Sequence, residues 1–193
     1  MKKSPEITEK ILEALPACGT VADVGCGSGE LLFELARGGW KAIGVDPEPA
    51  VPEGPEYRVL RGRAESLPLA DGSADAVVLQ CVFSLCEPEE TVKELARVLR
   101  PEGTLVVADL YARSGAEKPD GGHAIGRVET REHIEARLAG SFRLKSFSEE
   151  SEALLMMAAQ SILEGTSCVT REERKALKQV SAGYGLWVWT RDD

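Results

Sequence analysis

Between Val21 and Gly29 the chain reads Val-Ala-Asp-Val-Gly-Cys-Gly-Ser-Gly, an apolar run that ends in three alternating glycines. A buried strand entering a glycine turn at a helix N-terminus lets a ligand approach the backbone, because glycine lacks a Cβ and tolerates the required dihedrals. The fingerprint of NAD enzymes needs its third glycine one place later, where this chain has Glu30, a carboxylate that would face a pyrophosphate. There is also no Tyr-x-x-x-Lys pair, so an NAD-dependent oxidoreductase is the weaker reading. Other residues able to do chemistry follow β-rich runs: Asp46 with Pro47, then Arg63-Ala64-Glu65, then Gln80-Cys81-Val82. His123 and His133 are the only histidines. Five cysteines, at 18, 26, 81, 86 and 168, form no Cys-x-x-Cys pair. Neither a disulfide framework nor a metal site is expected from them, and free thiols in a reducing cytosol are the simpler reading.

The elements that must position these residues alternate along the chain. Ser4 and Pro5 read as a cap and first-turn proline for a helix carrying Ile7, Ile11, Leu12 and Leu15 on one face and ending at Pro16. Strands are predicted at Val21 to Val24, Ala42 to Val45, Tyr57 to Leu60, Asp75 to Leu79 and Thr104 to Ala108, with a helix from Ser28 to Arg37 ended by Gly38 and Gly39. After Pro88, Val92, Leu95, Ala96 and Leu99 share a helical face, with glutamates at its start and Arg97 and Arg100 at its end, as the helix dipole favours. Pro47, Pro49, Pro52 and Pro55 leave the crossover from Val45 to Tyr57 as a loop. Beyond Tyr111 come a Gly-rich loop (115–126), a helix from Arg131 to Leu138, a strand from Phe142 to Phe147 and a last strand from Gly185 to Trp189. Such alternation implies a mostly parallel sheet with helices on both faces.

The Asp-x-Gly-x-Gly-x-Gly turn resembles the first motif of class I S-adenosylmethionine-dependent methyltransferases, of the type 11 kind. The likeness continues in order over residues 20 to 110, through Asp46, Gly62-Arg63-Ala64-Glu65-Ser66-Leu67-Pro68-Leu69, Asp75-Ala76-Val77-Val78-Leu79 and Leu99-Arg100-Pro101-Glu102-Gly103. It implies a Rossmann-like α/β fold with a seven-stranded, mostly parallel sheet whose last strand is antiparallel. S-adenosyl-L-methionine would be the cofactor and S-adenosyl-L-homocysteine the product. Asp23, Gly25, Cys26, Gly27 and Gly29 would hold the methionine part, Asp46 and Pro47 the ribose side, Ala64 and Glu65 the adenine edge, and Gln80, Cys81 and Val82 the floor near the methyl group. Arg63 stands where the family often has Asp. Glu65 reads equally as a carboxylate capping a turn, and Cys26 as a small packing residue.

The end of the fourth strand lacks the Asn/Asp-Pro-Pro-Tyr motif of many enzymes that methylate base or amide nitrogens, and the net charge of −9 would repel a phosphate backbone. The partner implied is a small-molecule acceptor, neither a nucleic acid nor a membrane. Gln80 to Leu85 with Ala108 to Tyr111 resembles arsenite methyltransferases in part, with a thiol at Cys81. The likeness stops where Pro119 and Asp120, rather than a cysteine, precede Gly121 and Gly122. A thiol or arsenical acceptor is therefore one expectation, with Cys81 and His123 as candidate catalytic residues and His133 as surface decoration. A non-catalytic S-adenosylmethionine-binding regulator is the alternative.

At 193 residues, 43% hydrophobic and 28% charged, the chain suits one soluble cytoplasmic domain with no export signal. Within it the expected organisation is an N-terminal helix (1–16), a cofactor-binding core (20–110) and a helical insertion (148–180). The insertion reads as two helices: Leu154, Leu155, Ala158 and Ile162 mark the first, and Thr170 with Glu173 caps the second. Its apolar face, with Met156 and Met157, fits either a cover over the acceptor or a packing element.

Overall fold

The computed structural model describes residues 5–51, 54–114, 126–152 and 170–193. Seven strands form one sheet: β1 (Thr20–Val24), β2 (Lys41–Asp46), β3 (Tyr57–Arg61), β4 (Ala74–Gln80), β5 (Leu99–Ala112), β6 (Phe142–Glu149) and β7 (Ala182–Arg191). Their order is β3-β2-β1-β4-β5-β7-β6. All pairs from β3 to β5 are parallel, whereas β7 runs antiparallel between β5 and β6. The expected fold class is the one observed.

The central strands are buried almost continuously, as a sheet covered on both faces requires, while successive side chains alternate between the two faces. Val21, Ala76, Val78, Val106, Ala108, Tyr184 and Leu186 pack on one face, and Ala22, Val24, Val77, Leu79, Leu105, Val107, Trp187 and Trp189 on the other. The first face is covered by α1 (Pro5–Ala14) and α2 (Glu30–Arg37), which bring Ile7, Ile11, Leu31, Leu32 and Leu35, all at 0% exposure. The second takes α3 (Pro88–Val98) and α4 (Arg131–Leu138) through Leu95, Val98, Ile134 and Leu138. The three-to-four spacing of those side chains is what makes each helix one-sided.

Several boundaries differ from the sequence expectation. The helix after Pro88 ends at Val98, and Leu99 and Arg100, expected on it, open β5 instead, because Arg100 precedes Pro101 and is biased to extended backbone; β5 also runs on to Ala112 rather than ending at Ala108. The helix expected from Ser28 begins at Glu30, because Gly29 is its N-cap in the left-handed region at φ 80°. The last strand is longer at both ends, since every residue from Ala182 to Thr190 pairs with β5 or β6. Ser148 and Glu149, assigned to the insertion, belong to β6, where they pair with Leu186 and Gly185. The proline-rich crossover forms no helix among its described residues.

Of the insertion, α5 (Arg171–Gln179) is present with its capping box: Glu173 N–H donates to Thr170 Oγ1 at 3.2 Å, and Thr170 N–H to Glu173 Oε2 at 2.6 Å. The first expected helix, His123 and Cys168 lie outside the described residues. No helix among the described residues is long and apolar enough to cross a membrane.

The first helix is tied to the rest by more than its apolar face. Lys10 Nζ donates to both carboxylate oxygens of Glu150, at 2.8 and 2.6 Å, just past the end of β6. Because Ile11 is wholly buried, Ile11→Ala should cost about 2–5 kcal/mol of folding stability, the range for emptying such a site. Urea unfolding followed by circular dichroism checks this, and a loss below about 0.5 kcal/mol would mean that α1 is an appendage rather than part of the core.

Candidate functional site

The strand order reverses between β1 and β4, and ligands of open α/β sheets bind outside the carboxyl ends of strands at such a point. The carboxyl end of β1 runs into Gly25, Gly27 and Gly29, at φ 76°, 52° and 80°, all left-handed. The three glycines do different work. A Cβ on Gly25 would lie 2.3 Å from Val82 Cγ2, and one on Gly29 would lie 2.9 Å from Val51 Cγ2. At Gly27 it would meet nothing within 4 Å. Two glycines are thus needed because neighbouring side chains press on them, while the middle one presents bare backbone to open space.

Asp46, at the end of β2, is locked to that turn. Its Oδ2 accepts from Gly27 N–H at 3.0 Å and its Oδ1 from Glu48 N–H at 2.8 Å. Each carboxylate oxygen keeps a second lone pair, so the half-buried group can accept from two adjacent hydroxyls without giving up its anchors. Pro47 beside it is exposed. Asp23 is completely buried within β1, flanked by Gly44 and Val78, so it underpins the turn from inside the sheet. Cys26 is buried at 2%, and its Sγ would lie 2.8 Å from a Cβ on Gly44, so the side chain packs in the core while only its backbone belongs to the turn.

After β3, Ala64 is buried and Glu65 faces inward with a side chain 17% exposed. Glu65 Oε1 accepts from Glu87 N–H at 3.1 Å, and its Oε2 from Arg63 Nε at 3.2 Å. Glu87 is the N-cap of α3, so the Glu65 charge sits at the positive end of that helix. Burial pushes the Glu65 carboxyl up, but the Glu87 N–H and the Arg63 guanidinium outweigh it and hold the group below its ordinary value. Glu65 thereby caps the start of α3.

The same stretch is strapped to α3 further along. Glu94 accepts from Leu67 N–H at 2.7 Å, and Arg97 donates to the carbonyls of Leu67 and Leu69 at 3.0 and 2.8 Å and to Asp71 at 2.7 Å.

At the end of β4, Gln80 is 4% exposed, and among the described residues neither end of its carboxamide has a hydrogen-bond partner of good geometry, although it lies near enough to Tyr184 to bear on that hydroxyl. Cys81 is left-handed at φ 58°, its N–H donates to Ala108 O at 2.8 Å, and its Sγ lies 3.2 Å from Tyr184 Oη. A short 3-10 turn, Phe83–Leu85, follows. Ser84 is fixed there by Asp109, which accepts from Ser84 N–H at 2.9 Å, Ser84 Oγ at 3.0 Å and Leu110 N–H at 2.7 Å. Burial raises the Asp109 carboxyl, and the Ser84 and Leu110 donors counter it. Cys86 donates from its Sγ to Val82 O at 3.1 Å, and burial foremost, with Glu65 and Asp109 nearby, pushes its thiol up to about 12. His133 lies exposed on α4.

The structure thus gathers the glycine turn, Asp46, Ala64 with Glu65 and Gln80–Val82 at the carboxyl ends of four neighbouring strands. Direct contact joins Gly27 to Asp46 and brings Val82 against Gly25. Sequence reasoning missed Tyr184 and the Ser84–Asp109 lock. Tyr184 is 103 positions from Cys81 and Asp109 is 25 from Ser84, and no local pattern links either pair.

This strand order, with the antiparallel β7 inserted and a glycine turn after β1, is the class I methyltransferase fold. Residues 22–107 match the family described as Methyltransferase domain. A protein of Mycobacterium tuberculosis known as an uncharacterized methyltransferase is 37% identical over 106 residues, covering 52% of this chain and 43% of that one. The chain thus spans under half the length of that relative. Among solved structures, a geranyl diphosphate methyltransferase in complex with S-adenosylmethionine superposes with a TM-score of 0.78 at 18% identity, covering 96% of this chain and 84% of the other. The [4+2]-cyclase SpnF superposes at 0.71 with 20% identity, covering 97% and 81%.

Two outcomes follow from this geometry. Asp46→Ala should weaken S-adenosylhomocysteine binding by about 1.5–3 kcal/mol, the range for hydrogen bonds to a charged group. Calorimetry on the folded variant checks this, and wild-type affinity would remove Asp46 from the site. Glu94 is held below the ordinary 4.5 by Arg97 foremost, against burial, with Leu67 N–H adding a lesser pull in the same direction as Arg97. A depressed carboxyl adds stability that is complete above its unfolded value and is lost as pH falls through the folded one. Glu94→Gln should therefore be less stable than wild type at neutral pH and lose less stability below pH 4.5, which denaturation across a pH series measures.

Proposed function

We propose that this chain binds S-adenosylmethionine across the carboxyl ends of β1, β2 and β4 and transfers its methyl group to a small-molecule acceptor. The observation that carries this is Gly27: it alone of the three turn glycines faces open space, and its N–H holds the carboxylate of Asp46. The cofactor supplies an electrophilic methyl on a sulfonium. The residues of the chain bind, orient and exclude water, which are the main contributions available to an in-line displacement. The bare backbone around Gly27 leaves room for the methionine part, and Asp46 accepts from the ribose hydroxyls. Ala64 lies at the adenine edge while Glu65 fixes the start of α3 behind it. Gln80 to Val82 form the floor, held in place by the Ser84–Asp109 lock.

A small thiol is the acceptor class to test first. Thiolates need little help from a base, whereas hydroxyls and amines need a proton removed. Asp109 is engaged by three donors, so it serves the corner as a brace. The arsenical variant draws less support: holding arsenic(III) takes thiolates, whereas Cys86 is a buried protonated donor and Cys81 is engaged with Tyr184. A second reading, cofactor binding without methyl transfer, is favoured by one observation: a cyclase shares this fold, and fold alone does not fix chemistry.

Calorimetry should show S-adenosylhomocysteine binding and far weaker binding of NAD. Gly27→Val should remove the former by filling the open space, and unchanged affinity in a folded Gly27→Val variant would overturn the cofactor reading. Incubation with labelled S-adenosylmethionine and a panel of thiols, arsenite, amines and hydroxylated metabolites then separates the two readings. Label transfer to an acceptor supports the enzyme, and cofactor binding with no transfer to any member supports the non-catalytic alternative.

A further inference from the structure

Cys81 is one of three non-glycine residues among those described with positive φ, and it stands at the corner where β4 ends over the switch point. A side chain in the left-handed region costs about 1–2 kcal/mol, so something must hold it there. Two contacts converge on the carbonyl of Ala108: Cys81 N–H at 2.8 Å and Tyr184 Oη–H at 3.1 Å. A phenol has one hydrogen, and with that hydrogen given to Ala108 the 3.2 Å contact between Cys81 Sγ and Tyr184 Oη runs from thiol to phenol oxygen. Tyr184 is wholly buried, and burial foremost keeps its hydroxyl protonated. Its backbone is fixed as well: Glu150 N–H donates to Tyr184 O at 2.7 Å, and Tyr184 N–H donates to Ser151 Oγ at 3.1 Å.

We propose that Tyr184 is a positioning residue for the methyl-transfer site: its hydroxyl, wedged between Ala108 O and the Cys81 thiol, holds Cys81 in its left-handed conformation and so sets the shape of the floor formed by Gln80 to Val82. This rests on the reading of that corner as the cofactor floor. The tyrosine belongs to β7, the strand that interrupts the parallel order, and its backbone is bound to the residues that follow β6. The floor is therefore braced from a strand two places along the sheet, by a residue no local motif near Cys81 reveals. The bond also gives the Cys81 thiol the part of a proton donor, which accounts for a thiol at this position without any covalent or metal chemistry.

The test uses Tyr184→Phe, which keeps the ring in the core and deletes both hydroxyl contacts. Two readouts are taken on the folded chain: S-adenosylhomocysteine affinity by calorimetry, and the rate of Cys81 alkylation by iodoacetamide resolved by peptide mass spectrometry, with the exposed Cys18 as internal reference. The expected result is a fall in affinity and a rise in Cys81 alkylation, each by about three- to tenfold, the range one buried hydrogen bond commands. Cys81→Gly added to Tyr184→Phe should restore affinity, because glycine adopts the left-handed conformation unaided. A merely structural tyrosine would lower the melting temperature and leave both readouts unchanged in the folded protein, and that result overturns the proposal. If Tyr184→Phe does not fold, Cys81→Ala is measured instead: weakened affinity supports the proposal, and wild-type affinity overturns it. If the wild-type chain binds no S-adenosylhomocysteine, the cofactor reading fails separately, and the alkylation rate alone decides the role of Tyr184.

Discussion

Parallel strands need crossovers, and a sheet built outward in both directions from β1 sends its first crossovers toward β2 and its next toward β4. The carboxyl ends of β1 and β4 are left with no connection lying across them, and this gap is the constraint on which the rest of the molecule depends. The chain leaving β1 must turn at once into α2 without filling the gap, and three left-handed glycines achieve that. Val82 and Val51 press on the outer two, so the turn is held from both sides while its centre stays bare.

Around the gap the structure places polar groups where burial is expensive. An unpaired buried carboxylate or amide costs several kcal/mol, so such groups become reliable anchors when paired. Asp109 accepts from three donors and pins the 3-10 turn after β4, while Asp46 joins the glycine turn to the β2 crossover. Tyr184 reaches Ala108 and Cys81 from β7. Gln80 differs: a buried carboxamide with no partner of good geometry among the described residues, beside the open turn, retains hydrogen-bonding capacity.

Electrostatics on the far face serve the same site. Glu65 and Glu94 both have depressed carboxyls, the first through Glu87 N–H and Arg63 against burial, the second mainly through Arg97. Between them they fasten residues 63–71 to the start and middle of α3. The stretch that follows β3 is thereby hydrogen-bonded along its length to α3, although it contains almost no regular structure.

The sequence by itself determined the fold class, the seven strands near their observed places, the glycine turn and the second insertion helix with its capping box. These are local properties: short β-rich runs, helical spacing, proline placement and glycine spacing are written in neighbouring residues. It also put Gly27 and Asp46 in the same site, through resemblance rather than geometry, and left Glu65 open between two roles. Only the tertiary structure joined Glu65 to Glu87, because the two lie 22 positions apart. It alone showed that Cys86 is a protonated donor beneath the corner after β4. It also revealed Tyr184, whose partners lie 76 and 103 positions away. Contacts of that separation are set by the order in which strands lie side by side, and no pattern in adjacent residues encodes which side chains that order brings together.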